Sequence, residues 1–216
     1  AFFHGGLNGE YKFDSFTKAC GFDSYFGKDE FGDDRFYDGH WGIYDEEFLQ
    51  YTAARISEQQ QPFCSVVFTL SSHDPFPVPE PYKGRFPKGT QDIHESLGYV
   101  DMSIRRFFES ASKEAWFANT FFVITGDHTY QYNVHPPWYR NPAGRFAVPI
   151  LFFSPDGSFR GRDDRIAQHL DIGPSILDLV GYEGHISTFG QSVFKRDRTD
   201  RAGTRERLLG QRQGGF

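Results

Sequence analysis

The stretch Asn119-Thr120-Phe121-Phe122-Val123-Ile124-Thr125-Gly126-Asp127-His128 decides the fold of this chain. Residues 120–125 are all β-branched or aromatic and carry no charge, which predicts a strand buried on both faces inside a parallel sheet. Gly126 lets the backbone turn at the end of this strand. Two side chains that bind metals follow at once, at the carboxyl end of the strand, where open α/β sheets collect ligands.

Asp127 and His128 combine a hard oxygen ligand with an imidazole nitrogen, a pair that suits Zn²⁺ or Mn²⁺. A bound cation normally needs at least three protein groups, so the pair by itself predicts only part of a metal site. The alternative interpretation is an Asx-type turn that ends the strand and leaves His128 exposed.

The bulk composition restricts the function. The chain has 216 residues, enough for one domain with a substantial core, and its 25 Phe supply much of the core volume. A net charge of −6 disfavours nucleic acid as a partner, because phosphate binding needs a basic surface. No apolar run reaches 18 residues and no signal peptide is evident. The apolar start Ala1-Phe2-Phe3-His4 suggests a fragment of a longer polypeptide.

Strand and helix patterns alternate along the chain, which predicts an α/β fold with a mainly parallel sheet flanked by helices. Strands are expected at residues 1–4, 63–70, 120–125 and 147–154, and helices at 14–19, 45–59, 92–115 and 168–180. Residues 21–44 and 131–144 are expected to be long loops. Pro149 predicts an edge or a bulge in the last strand. We expect residues 1–194 to form one domain and the basic, Gly-rich residues 195–216 to be a tail.

Three strand ends carry polar groups: His4-Gly5-Gly6, Ser72-His73-Asp74 and Gly126-Asp127-His128. Parallel strands place their carboxyl ends at one edge, so these groups are expected to converge. For His73, a hydrogen-bonded loop residue and a substrate-binding residue are both open. For His4 the structural alternative is preferred, because no neighbouring residue suggests a partner.

The remaining polar candidates have structural interpretations. An acidic surface with a helix cap is predicted for Asp33, Asp34, Asp45 and Glu46. Arg35 and Arg145 could each hold an anion in a bidentate fork, although so many arginines are present that neither is singled out. His169 and Asp171 are interpreted as cap and core residues. Cys20 and Cys64 are predicted to be small buried side chains, with a disulfide left open.

Several catalytic motifs are missing from the sequence. It contains no G-x-S-x-G elbow, no P-loop and no Rossmann glycine fingerprint. The nucleophile of any covalent chemistry is therefore not evident in these residues.

An ordered set of motifs, none of them specific alone, spans nearly the whole chain up to Phe194. The set consists of Phe3-His4-Gly5-Gly6, Gly21-Phe22, Trp41-Gly42-Ile43-x-Asp45-Glu46, Thr69-x-Ser71-Ser72-His73-x-Pro75, Tyr99-x-Asp101, Gly126-Asp127-His128, Val148-Pro149-Ile150 and Asp171-Ile172-x-Pro174-Ser175-Ile176-Leu177-Asp178-Leu179-x-Gly181. It resembles the carboxyl-terminal part of the sulfatase-like branch of the alkaline phosphatase superfamily. Within that branch it is most similar to the lipoteichoic acid synthase and phosphoglycerol transferase enzymes.

The resemblance implies roles for four residues. Asp127 and His128 would be metal ligands for Mn, Mg or Zn. His73 would contact the phosphate of the transferred group and act as a catalytic residue, and Tyr11 would line the glycerophosphate pocket. Phe13 stands where the family has an arginine, which puts glycerophosphate specificity in question.

The resemblance also implies that essential parts lie elsewhere. The family's threonine nucleophile and an acidic metal ligand precede the region matched here, so residues 1–216 alone are expected to be inactive. The parent protein is expected to be membrane-anchored, facing the periplasm or cell surface, and to act on an anionic phospholipid headgroup or a glycan acceptor. The alternatives are a sulfatase, phosphatase or phosphoethanolamine transferase of the same superfamily, and a non-catalytic domain that binds anions.

Overall fold

A computed structural model describes residues 1–130, 141 and 144–195. The chain divides into two compact units, Ala1–Thr120 and Phe121–Phe216. The described strands are β1 (Phe2–His4), β2 (Tyr25–Phe26), β3 (Val66–Phe68), β4 (Phe122–Thr125) and β5 (Ile150–Phe153). The described helices are α1 (Phe13–Ala19), α2 (Lys28–Phe31), α3 (Asp45–Ser57), α4 (Ile93–Ala111) and α5 (Ile172–Leu179). None of these helices combines the length and the apolar character that crossing a bilayer requires.

The first unit contains a parallel sheet with the strand order β2-β1-β3. Phe2, Phe3 and His4 pair with consecutive residues of β3, so the carboxyl ends of β1 and β3 lie at the same edge, as predicted. The segment 21–44 was expected to be a loop, and this was wrong. It contains β2 and α2, because a two-residue strand is too short to leave a periodic pattern in the sequence.

Helices α3 and α4 pack together and anchor the Pro-rich segment that follows β3. The buried residues of α4 recur at intervals of three and four positions: Ser96, Tyr99, Val100, Ser103, Phe107 and Ala111. Tyr99 is fully buried in a cluster with Val78 and Val100, against which Tyr82 and Phe86 also pack. This cluster fixes the segment that begins directly after His73.

In the second unit, residues 122–125 form a strand as predicted, but the predicted parallel pairing and the predicted burial on both faces were wrong. Strand β4 pairs with β5 in antiparallel register, Phe122 opposite Phe153 and Thr125 opposite Ile150. Its residues are half-buried or exposed rather than buried on both faces. A β-branched and aromatic run predicts a strand, but it does not say which partner the strand will have. Strand β5 begins after Pro149, which has no N–H to donate to the ladder.

The acidic surface and helix cap predicted for Asp33, Asp34, Asp45 and Glu46 are found only in part. Asp45 is 2% exposed and accepts hydrogen bonds from the backbone of another loop instead of capping its own helix. Glu46 pairs with Arg106 of α4 and is largely buried. Asp33 and Asp34 do lie in an accessible cluster, where they pair with Arg35 and Lys28.

Arg35 already holds an anionic partner. Its Nη2 lies 2.5 Å from Oδ2 of Asp33 and its Nε 2.9 Å from Oδ1, so its fork is occupied by that carboxylate. The hydrogen bonds from Arg35 lower the pKa of Asp33 to about 2. The side chain of Arg145 lies outside the described residues.

Both cysteines are free thiols and both are exposed, so the predicted burial of Cys20 and Cys64 was wrong. Cys20 directly follows the last turn of α1, and Cys64 precedes β3. Neither position belongs to the periodic apolar face of an element.

Candidate active site

Three aromatic side chains form an open cluster in the first unit. Tyr11 is 73% exposed and stacks on Trp41, with ring centroids 6.4 Å apart and planes 11° from parallel. The imidazole of His73 lies against the same indole at a centroid distance of 4.0 Å. Tyr11 follows β1 and His73 follows β3, so the parallel pairing of these strands brings both residues to one edge of the sheet.

Gly42 places Trp41 at this edge through a close approach of two backbones. Gly42 bridges Gly6 in antiparallel fashion, and Ile43 N–H donates to the carbonyl of Gly5. A Cβ at position 42 would lie 2.6 Å from that carbonyl oxygen, closer than any side chain permits. Only glycine therefore fits there, and the residue before it is held beside the end of β1.

His73 is oriented by one carbonyl. Its Nδ1 lies 2.9 Å from the oxygen of Asp74, and Trp41 Nε1 donates to the same oxygen at 2.6 Å. Because a carbonyl oxygen only accepts, Nδ1 carries the proton and Nε2 carries the lone pair of the neutral ring. An exposed imidazole held in one tautomer can accept a proton or, once protonated, stabilise a phosphoryl oxygen.

The backbone at this edge adopts unusual conformations. Tyr11 has φ 46°, Lys12 has φ 58° and Phe76 has φ 59°, all in the left-handed region that non-glycine residues rarely occupy. Each such residue costs on the order of 1–3 kcal/mol and is typical of functional sites. The turn Glu10–Lys12 thereby directs the ring of Tyr11 outward.

Phe13 and His4 lie beneath the aromatic cluster. The ring of Phe13 packs against His4 at 4.7 Å and against Phe68 at 5.9 Å, so it contributes to the core. His4 is 2% exposed, its Nδ1 lies 3.1 Å from the hydroxyl of Tyr25, and burial lowers its pKa to about 4. His4 is therefore neutral at physiological pH.

The second unit carries Asp127 and His128 on an exposed turn after β4. His128 N–H donates to Oδ1 of Asp127, and Nδ1 of His128 lies 2.8 Å from the carbonyl oxygen of Thr129. Because that carbonyl oxygen can only accept, the proton is on Nδ1, and Nε2 carries a lone pair of the kind that can coordinate a cation. Metal-bound histidines commonly hold their second ring nitrogen in this way.

The pair fits two positions of a metal site. Nε2 of His128 and Oδ2 of Asp127 lie 3.5 Å apart, and two ligands about 2.1 Å from one tetrahedral zinc ion lie about 3.4 Å from each other. Among the described residues, no group of three or more His, Cys, Asp or Glu could hold an ion. A cation held by this pair would need further ligands.

His169 supports this turn from the other side. Its Nε2 lies 2.8 Å from the carbonyl oxygen of Gly126, and it opens the short helical turn His169–Asp171 before α5. Asp171 is buried and accepts from the N–H groups of Gln168 and Gln191, which confirms its predicted cap and core role.

Sequence reasoning missed the contributions of Trp41 and His169. Trp41 was noted only as part of a motif, although an indole before a glycine in a Gly- and Asp-rich segment is a usable signal for a partly exposed aromatic side chain. No local pattern connects His169 to Gly126, because they lie 43 positions apart and meet through the tertiary fold.

Solved structures define the class of protein. The chain superposes on a protein of the alkaline phosphatase superfamily from Vibrio parahaemolyticus with a TM-score of 0.75 and 27% identity, covering 91% of this chain and 48% of the other. A second similar structure is the lipoteichoic acid synthase LtaP from Listeria monocytogenes, with a TM-score of 0.73, 24% identity, and coverage of 91% and 52%. The fold is thus that of the alkaline phosphatase superfamily, as predicted.

The family follows from the sequence comparison. The sulfatase family model matches residues 1–182, and the chain belongs to the sulfatase family. Curated relatives include the lipoteichoic acid synthase-like YvgJ of Bacillus subtilis, 26% identical over 79% of this chain, and the lipoteichoic acid synthase of Staphylococcus saprophyticus, 26% identical over 90%. Each alignment covers 33% of the relative, so the chain spans about a third of their length. The predicted resemblance is confirmed.

Proposed function

We propose that this chain is part of the catalytic domain of a metal-dependent phosphoryl-group transferase of the phosphoglycerol type. The observation that carries the proposal is the sulfatase family match over residues 1–182, together with relatives that are named lipoteichoic acid synthases. The oriented imidazole of His73 and the Asp127–His128 pair are groups that such chemistry requires.

The proposed roles are those that the family resemblance implies for these residues. His73, once protonated, would contact the phosphoryl group and either stabilise its charge or protonate the leaving group, and Tyr11 would provide an aromatic wall for the glycerol part of the substrate. Asp127 and His128 hold a divalent cation, Mn²⁺, Mg²⁺ or Zn²⁺. Such a cation would neutralise charge on the phosphoryl oxygens and lower the pKa of the attacking hydroxyl.

The rest of the site would lie outside these 216 residues. The nucleophile, a threonine, and an acidic metal ligand would precede residue 1 in the parent protein, and the chain alone would be inactive. Residues 1–194 would form the carboxyl-terminal portion of the catalytic domain, with 195–216 as a tail. The parent would be anchored to the cell membrane, act on its outer face, and transfer to a lipid headgroup or glycan acceptor.

Phe13 supports a hydrolase as the second candidate. The resemblance expects an arginine at this position to hold phosphate, whereas the Phe13 ring packs against His4 and Phe68. A site that lacks the guanidinium group of this arginine has less positive charge with which to retain glycerophosphate. A sulfatase or phosphatase of the same family is therefore the alternative, and a phosphoethanolamine transferase or an anion-binding domain follows it.

Manganese binding tests the metal ligands. Titration with Mn²⁺ of the polypeptide that includes the preceding acidic ligand, followed by the electron paramagnetic resonance signal of free Mn²⁺, should show uptake that falls at least about tenfold in Asp127→Ala and in His128→Ala, since even indirect partners of a metal cause losses of this size. His185→Ala, an exposed histidine of the same unit, is the matched control and should bind like wild type. Equal uptake in all four proteins would contradict the assignment.

The reaction is tested in the polypeptide that includes the preceding threonine. Its activity should be compared on a phosphatidylglycerol donor, a phosphatidylethanolamine donor, an aryl phosphate and an aryl sulfate. Transfer of glycerophosphate that requires His73 supports the transferase, whereas hydrolysis of an ester without transfer supports the second candidate. A parent sequence that contains no nucleophile in the preceding region would leave only the non-catalytic alternative.

A further inference from the structure

A buried carboxylate joins helix α3 to the loop that carries His73. Oδ1 of Asp45, the first residue of α3, accepts from Leu70 N–H at 2.9 Å and from Ser71 N–H at 3.1 Å. In return the N–H of Asp45 donates to Oγ of Ser71 at 3.0 Å. Three hydrogen bonds therefore tie the beginning of the helix to two residues just before His73.

The same loop is held from a second helix and by its own turn. Oγ of Ser96 in α4 donates to the carbonyl of Ser71, and both serines are buried. The N–H of His73 donates to the carbonyl of Leu70 at 2.9 Å, which closes the turn. The position of Leu70 and Ser71 therefore sets the position of the His73 backbone.

The carboxylate is costly for the fold. Oδ2 of Asp45 is buried and has no hydrogen-bond partner among the described residues, and burial raises the pKa of the group to about 6. A buried polar oxygen without a partner destabilises the folded state. An apolar residue would avoid this cost, but it could not accept from the two N–H groups of the loop.

We propose that Asp45 is a positioning residue for His73. It holds Leu70 and Ser71 so that the imidazole stays against Trp41 with Nδ1 directed at the Asp74 carbonyl. The role in catalysis rests on the proposed function of His73 as the group that contacts the phosphate. The positioning itself depends only on the contacts of Asp45.

The test is the ¹H–¹³C NMR signal of the His73 ring, whose shift reports the Trp41 ring current at a centroid distance of 4.0 Å. Asp45→Ala should lose most of this ring-current shift, because the two N–H groups lose their acceptor. Asp45→Asn should retain it, since the amide oxygen still accepts from both. An unchanged His73 signal in folded Asp45→Ala overturns the inference.

Asp171 provides the matched control. It is also a buried aspartate at the start of a helix that accepts from two backbone N–H groups, those of Gln168 and Gln191, each at 2.8 Å. Asp171→Ala should lower the unfolding temperature while the His73 signal stays in place. If Asp171→Ala moves that signal as far as Asp45→Ala does, the effect is general destabilisation and the inference fails.

A second variant covers the case in which Asp45→Ala does not fold. Ser71→Ala removes only the Oγ that accepts from the N–H of Asp45 and should move the His73 signal in part. A folded Ser71→Ala protein with the wild-type signal would overturn the inference.

Addition of sn-glycerol 3-phosphate separates this inference from the proposed function. In the wild type, the His73 signal should shift when sn-glycerol 3-phosphate is added. If that shift is lost in Asp45→Ala but kept in Asp171→Ala, the result supports both the positioning role of Asp45 and the proposed function. A His73 signal that moves in Asp45→Ala but never responds to sn-glycerol 3-phosphate supports the positioning and counts against the proposed substrate.

Discussion

Burial, more than neighbouring charge, sets the pKa values of His4 and Asp45. His4 and Asp45 are both about 2% exposed, and desolvation shifts their pKa values in opposite directions, to about 4 and about 6. In each case burial disfavours the charged form. Neither effect could be read from the local sequence, in which His4 begins a Gly-rich segment and Asp45 stands where a helix cap is common.

His4 should make the chain sensitive to acid. Its pKa falls from 6.5 in the unfolded chain to about 4 in the folded one, so the unfolded state binds more protons between these values. The contribution of neutral, buried His4 to the free energy of unfolding is complete above pH 6.5 and is lost as the pH falls from 6.5 through about 4. From pH 7.5 to pH 5, wild type should lose about 2 kcal/mol of unfolding free energy more than His4→Gln does.

Urea unfolding of both proteins at the two pH values measures this difference. Asp45 acts in the opposite sense, since its raised pKa makes stability fall as pH rises toward 6, but it is present in both proteins and cancels. An identical pH dependence for wild type and His4→Gln would show that His4 titrates normally in the folded state.

At the scale of elements, short turns next to helices hold the candidate site residues. The turn Glu10–Lys12 before α1 directs Tyr11 outward, and the turn His169–Asp171 before α5 reaches the carbonyl of Gly126. The periodic patterns of the long helices predicted α3 and α4 well. The turns were not predicted, because residues in the left-handed region leave no periodic signal.

His169→Ala should weaken Mn²⁺ binding without removing a ligand. The variant loses the hydrogen bond to the carbonyl of Gly126, so the turn that carries Asp127 and His128 is less restricted. The affinity should fall about 10-fold, at the lower end of the effect of outer partners on metal sites. Titration by electron paramagnetic resonance measures it, and an affinity equal to that of the His185→Ala control would contradict the supporting role.

At the scale of the whole molecule, the net charge predicts that nucleic acid is not a partner. The net charge is −6, yet residues 195–216 are basic. Binding to nucleic acid requires a basic surface that releases counterions, and the chain as a whole does not provide one.

The chain should therefore not retard a DNA duplex in an electrophoretic assay at about 50 mM salt, a condition that favours non-specific binding. A chain that ends at residue 194 is the control for the basic tail. Retardation by the full chain that disappears with the tail would assign nucleic acid binding to that segment. Retardation by both chains would contradict the exclusion.

The sequence by itself determined the α/β class, the long helices and the sulfatase family. The apolar periodicity of α4 and the β-branched run of β4 depend on local physics, and the ordered motifs survive at about a quarter identity. It also indicated Asp127 and His128 as a pair of ligands, because adjacent residues after a strand share one turn.

Only the tertiary structure decided the partners of these residues. β4 pairs with β5 in antiparallel fashion, and the Asp45 carboxylate accepts a hydrogen bond from the backbone of a loop 25 positions away. The His73 ring packs against the Trp41 ring. Each contact joins segments far apart in the chain. The free energy of such a contact depends on how the two segments bury each other's surfaces in the folded protein. A local sequence pattern contains no information about that burial.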